Sequence, residues 1–162
     1  MTTHDTELGD AEASSLRLLD FRVYHSKEEF EGTCYMEIKP SKYERKYWEK
    51  GSIFIEEEAF YIFEWAFQRH LKQYDHYGAI TVSSSSMIKV ANELRTFEKM
   101  ICEGKAIEEF RTYCRMITTT LKDDLECALR FQRKELLTAA SEISEWIHDR
   151  ANETRHFAIL GI

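Results

Sequence analysis

Proline and glycine are scarce, with one Pro and six Gly in 162 residues. That scarcity excludes a collagen-like or low-complexity chain and argues against a loop-rich fold. No run approaches the ~20 apolar residues that a membrane-spanning helix needs, so no membrane contact is expected. The four cysteines, Cys34, Cys102, Cys114 and Cys127, form no CxxC pair. The first residues lack the basic and apolar regions of a secretion signal. A cytoplasmic protein with reduced thiols, packed as small hydrophobes, is therefore expected. Basic residues are in deficit: 22 Lys and Arg against 29 Asp and Glu leave −7. A chain of that sign is poorly suited to neutralising phosphates, so direct nucleic-acid binding is not expected. A basic protein partner suits it better.

Chemical motifs are missing too. There is no GxSxG, HExxH, EF-hand loop, P-loop or Cys/His cluster, so no cofactor, metal ligand or catalytic residue is assigned. His25, His70, His76, His148 and His156 are scattered through the chain. Ser83–Ser86 lacks the glycines and lysine of a phosphate loop and reads as a helix cap.

Aromatic residues are abundant, with 10 Phe, 8 Tyr and 3 Trp, enough large side chains for one core without staples. The final run Phe157-Ala-Ile-Leu-Gly-Ile162 is apolar. Chain ends fray unless something ties them down, so this run is expected as a strand in the sheet. Residues 1–15 hold Asp5, Glu7, Asp10 and Glu12, no base and almost no apolar residue. They read as a disordered acidic tail, and 16–162 as a single domain.

Leu18–Tyr24 alternates, with Leu19, Phe21 and Val23 on one face, and predicts a strand. Thr33–Ile38 predicts a second strand, paired antiparallel with the first. Residues 41–51, with Tyr43, Tyr47 and Trp48 among five nearby basic residues (Lys39, Lys42, Arg45, Lys46, Lys50), fit a short helix or an excursion. Ile53–Ile55 is a candidate short strand. Glu56–Tyr74 predicts a helix with Phe60, Phe63 and Phe67 inward. Ala79–Val82 predicts a strand, and the helix after the serines runs to Gly104. Lys105–Ala151 has neither Gly nor Pro. It is too long for one helix in so small a domain and is split into two at Thr118–Thr120. The order predicts an α+β fold, a small mostly antiparallel sheet packed against several helices, with the C-terminal strand joining the sheet.

The Asp75-His-Tyr-Gly-Ala-Ile80 turn, the long helix after the serines and the terminal Ile159-Leu-Gly-Ile162 together resemble the small cytosolic immunity proteins of bacterial polymorphic-toxin and contact-dependent growth-inhibition systems. The resemblance implies an acidic α+β protein that is not an enzyme. Such a protein binds one cognate toxin domain, often a nuclease, and covers its active site or substrate surface. The partner would then be a toxin with a basic surface, bound one-to-one. The acids Glu28, Glu29, Glu31, Glu56, Glu57 and Glu58 are the candidate toxin-binding charges, with Tyr47 and Trp48 as aromatic anchors. Glu56–Glu58 has a second explanation, because acids in a helix's first turn complement its dipole. Two alternatives remain. One is an enzyme with a scattered site around His76, Asp75 and a helix-start glutamate. The other is a regulatory or adaptor protein binding through an exposed apolar stripe on residues 121–150.

Overall fold

The structure is a computed structural model that describes residues 17–113 and 119–161. The expected tail at 1–15 lies outside the described residues. Among these residues five strands form one sheet: β1 (Val23–Tyr24), β2 (Tyr35–Lys39), β3 (Ile53–Glu56), β4 (Ala79–Ser83) and β5 (His156–Leu160). Their spatial order is β1-β3-β2-β5-β4, antiparallel throughout. The fold is α+β, and the C-terminal strand sits between β2 and β4, as its apolarity demands.

The period-two alternation gives the sheet two different faces. Met36, Ile38, Ile53, Ile55, Phe157 and Ile159 point into the main core. Among the described residues six α-helices supply the rest: α1 (Glu57–Phe60), α2 (Glu64–His70), α3 (Ser84–Cys102), α4 (Ala106–Tyr113), α5 (Thr119–Phe131) and α6 (Arg133–Ala151). The long helices α3 and α6 pack closely, with Ala91, Ala139 and Ala140 fully buried. The buried Ser144 hydroxyl donates to the Ala91 carbonyl at 2.9 Å between them. Ser83 caps α3 by accepting the Ser86 N–H at 3.2 Å. Gly104, at φ +71°, ends it, with Lys105 N–H reaching back to the Met100 carbonyl at 2.9 Å. That six-to-one bond needs a left-handed residue, which glycine adopts without strain.

Several expectations are corrected. The first strand shrinks to Val23–Tyr24, although Leu19, Phe21 and Val23 are buried as the alternation implies. It pairs with β3 rather than with β2. The connection from β1 to β2 passes over β3, because Phe30 in that connection packs on Phe54 at 5.3 Å between ring centroids. Of the two readings of residues 41–51, the excursion is the one observed. The expected helix over Glu56–Tyr74 is interrupted at Tyr61–Phe63 and ends at His70. The Ile62 and Phe63 amides bond three residues back, to Ala59 and Phe60. This tighter winding buries Phe60, Ile62, Phe63, Trp65, Ala66 and Phe67 together, more than one helical stripe could hold, so burial overrides regular geometry.

Within the run from 105 to 151 the described residues show a break at Gln132, between α5 and α6, where the backbone leaves the helical region at φ −133° and ψ 31°. Of the expected break at Thr118–Thr120, Thr119 and Thr120 belong to α5 and Thr118 lies outside the described residues. The thiols are less buried than expected: Cys34 and Cys102 are exposed and Cys127 is half-buried. Cys34 flanks a strand, and Cys102 lies on the outer side of the last turn of α3. Cys114 lies outside the described residues.

Candidate protein-binding face

The outer face of the sheet carries Tyr35, Glu37, Lys39 and Phe54, the complement of the core-facing set. Tyr24, Phe30 and Phe54 form a second small apolar cluster there, flanked by Tyr35 and Trp48. The centre of this face is Glu37, a fully buried carboxylate. Its Oε2 accepts the Trp48 N–H at 2.7 Å, and its Oε1 accepts the Glu49 N–H at 3.0 Å and the Ser52 hydroxyl at 2.7 Å. Lys39 is also buried and pairs with Glu49. At the other side of the sheet the Tyr43 N–H donates to Thr81 Oγ1 on β4 at 3.0 Å. A segment that reaches both Thr81 on β4 and Glu37 on β2 must cross β5. Residues 40–52 are thus a strap over the sheet's outer face, which accounts for the burial of Ala158 and Leu160 there.

The strap holds strain that its anchors offset. Arg45 at φ 62° and Trp48 at φ 60° are both left-handed, a conformation that costs roughly 1–2 kcal/mol per non-glycine residue. Charge-assisted hydrogen bonds to a buried carboxylate are among the stronger kind. Trp48 adds ring contacts with Phe30 and Phe54 at 5.8 and 5.7 Å. The strap therefore presents Lys42, Arg45, Lys46, Tyr47 and Lys50, all exposed, from a fixed frame. Tyr43 and Tyr47 pack edge to face at 5.8 Å. The hydrogen bond between their hydroxyls holds the Tyr47 phenol above its ordinary pKa.

The structure brings part of the expected site together. A single 3-10 turn, Lys27–Glu29, abuts the strap, with Lys27 Nζ 4.4 Å from the Phe30 ring centroid and 5.1 Å from that of Trp48. Glu28, Glu29 and Glu31 are exposed on and beside this turn. The Ser26 hydroxyl holds the Glu28 carboxyl below its ordinary pKa. Tyr47 and Trp48 differ in role: Tyr47 is exposed, whereas Trp48 is half-buried and works as an anchor for the strap.

Glu56, Glu57 and Glu58 are internally engaged, Glu56 on the sheet's outer face opposite Tyr35. Glu56 accepts the Asp20 N–H at 3.1 Å, and burial pushes its carboxyl up. Glu58 pairs with Arg17. Glu57 on α1, Tyr61 in the turn that follows and Glu64 on α2 all meet His76. The His76 Nε2 lies 2.9 Å from Glu57 Oε1, and Nδ1 lies 2.6 Å from Glu64 Oε1. The imidazole stacks on Tyr61 at 4.3 Å and 6°. Tyr74 donates its hydroxyl to the same Glu64 oxygen at 2.8 Å. Burial and the adjacent Glu64 push the Tyr74 phenol up, and burial with the Tyr77 hydroxyl does the same to Tyr61.

His76 and a helix-start glutamate are thus in contact, while Asp75 accepts the Tyr77 N–H at 3.1 Å and shapes the turn. Both ring nitrogens are committed to carboxylates, so the cluster bolts the 71–78 loop onto α1 and α2. Sequence reasoning missed Glu37 and Glu64, and counted Lys39 only among the basic residues of the segment, not as a buried one. Charged residues in an otherwise apolar strand, Glu37 between Met36 and Ile38 and Lys39 just after Ile38, were the available signal for Glu37 and for the burial of Lys39. The apolar residues of 121–150 lie mostly in the core, with Phe131 exposed at 48 %.

No protein-family model, curated protein or solved structure matches the chain. Among the described residues no group of three potential ligands could hold a metal ion, and no helix is long and apolar enough to cross a membrane.

Proposed function

We propose that this chain is an immunity-type inhibitor that binds a cognate toxin domain, a nuclease with a basic surface, through the acidic residues of the Lys27–Glu31 turn and the exposed Tyr47 of the adjoining strap. The observation that carries the reading is the anchoring of the strap on buried Glu37. A binding loop fixed before encounter loses little freedom on association, so its contacts convert more fully into affinity. Exposed Tyr47 is the aromatic anchor, a residue type favoured where binding energy concentrates. Glu28, Glu29 and Glu31 supply negative charge beside the basic strap, and such a bipolar face fixes a partner's orientation. The overall −7 charge favours rapid encounter with a basic protein.

The test is capture of the toxin by the tagged full-length protein from its native lysate, followed by nuclease assay of the captured partner, free and rebound. A one-to-one partner whose nuclease activity vanishes on rebinding supports the proposal. Recovery of the protein as a free monomer, or of a partner without toxic activity, counts against it.

A further inference from the structure

Leu19–Tyr24 runs beside α6, and a cavity of about 810 Å³ lies between them. Gln132, at the break between α5 and α6, lies at one end. Its side chain accepts the Leu19 N–H on Oε1 at 2.9 Å and donates Nε2–H to the Leu19 carbonyl at 2.7 Å. That reciprocal pair is what a residue on a neighbouring antiparallel strand would exchange with Leu19. Two residues on, Phe21 presents its main chain to the same edge. It lines the cavity and makes no main-chain hydrogen bond among the described residues. The opposite edge is occupied: Asp20 N–H goes to Glu56 of β3, and Tyr24 faces Phe54 in the ladder.

We propose that this groove binds an extended, basic peptide segment of a partner protein, added as a strand along the edge at Phe21. The inference goes beyond the immunity reading and stands without it. Strand addition draws affinity from main-chain hydrogen bonds and specificity from alternate side chains. The floor is apolar, with Leu19, Phe21 and Val23 buried beneath it. The walls are acidic. Glu135 and Glu142 project from α6 two turns apart, roughly 10 Å, and Glu29 stands at the opposite lip. Glu142 also bonds His25 at 2.8 Å. Arg22 neutralises Asp20 through two bonds at 2.8 and 2.7 Å. Three carboxylates then face Lys134 alone, a balance that complements Lys or Arg on every second residue of the peptide.

The experiment uses the full chain and a fluorescein-labelled, N-acetylated Lys-Val-Lys-Val-Lys-Val peptide, read by fluorescence anisotropy. Its controls are the same peptide N-methylated at alternate amides and a Glu-Val counterpart. Saturable binding of the Lys-Val peptide is expected, with roughly tenfold loss on N-methylation and in the E135K/E142K variant. NMR shifts should fall on the Phe21 amide and the exposed face of α6. E135K alone, which leaves the His25 contact intact, should show a smaller loss and guards against misfolding of the double variant. No saturation at millimolar peptide, equal binding of all three peptides, or shifts away from the groove would overturn the proposal. So would a concentration-dependent dimer occupying the groove, which would assign it to a second copy of the chain.

Discussion

Replacing Glu37 with glutamine should loosen the strap while leaving the rest of the fold in place. The carboxylate holds three donors on two oxygens, the Glu49 N–H and Ser52 hydroxyl on Oε1 and the Trp48 N–H on Oε2. A glutamine carbonyl can keep the first pair. Its NH2 group then faces the Trp48 N–H, donor against donor, in a site with no solvent exposure at Glu37. An unsatisfied buried donor costs about 1–3 kcal/mol, so E37Q should lose about 2 kcal/mol. E37A strands all three donors and should lose more, about 3–5 kcal/mol. The assay is urea unfolding together with amide exchange at Trp48 and Glu49. Faster exchange at those two amides, beyond the global change, is expected. If E37Q matched the wild type in stability and strap exchange, the claim that Glu37 anchors the strap would be refuted.

Other consequences follow from the same geometry. A Cβ on Gly161 would lie 1.6 Å from the His76 carbonyl oxygen, so G161A should cost several kcal/mol and shift the 75–78 turn, read by thermal unfolding and by the His76 ring resonances. H76A removes the ring contacts to Glu57 and Glu64 at 2.9 and 2.6 Å and the stack on Tyr61; with about 1.5–3 kcal/mol for a hydrogen bond to a charged group, a loss of about 2–3 kcal/mol is expected in urea unfolding. Asp20 is held at about 2 by hydrogen bonds from Arg22, against an ordinary 3.8, with burial opposing and the Tyr24 hydroxyl assisting. A depressed carboxyl stabilises the fold above its unfolded pKa, and the contribution disappears as pH falls from 3.8 towards 2. Because Arg22 is exposed, the term is on the order of 1 kcal/mol, and D20N should flatten that part of the stability–pH curve.

Much of the fold is legible in the sequence because burial writes a period into it. The alternation at Leu19–Val23 and the apolar Phe157–Ile159 run mark a sheet with one face in the core, and Gly104 marks a helix end through the φ it adopts. Less legible is what tertiary burial decides. No local signal separates β1 from β2, since the packing of Phe30 across Phe54 inserts β3 between them. The helix over 56–74 has the right period, yet the core demands more apolar contact than one stripe provides, and the chain tightens at Tyr61–Phe63. Gln132 looks like an ordinary helical residue until Leu19, distant in sequence, meets its side chain. The candidate face was half visible: its exposed turn acids and Tyr47 are compositional features. The carboxylate that organises it is buried in a strand, and the glutamates at 56–58 are taken up by Asp20, His76 and Arg17.

The most direct test of the strap-and-turn face is the association rate with the captured toxin, measured for the wild type, for E28K/E29K/E31K and for Y47A at low and moderate salt. Slower association is expected for the charge-reversed variant, roughly tenfold or more at low salt and less as salt rises. Faster dissociation is expected for Y47A. Wild-type association and dissociation in both variants would contradict the strap-and-turn assignment and place the binding face elsewhere on the molecule.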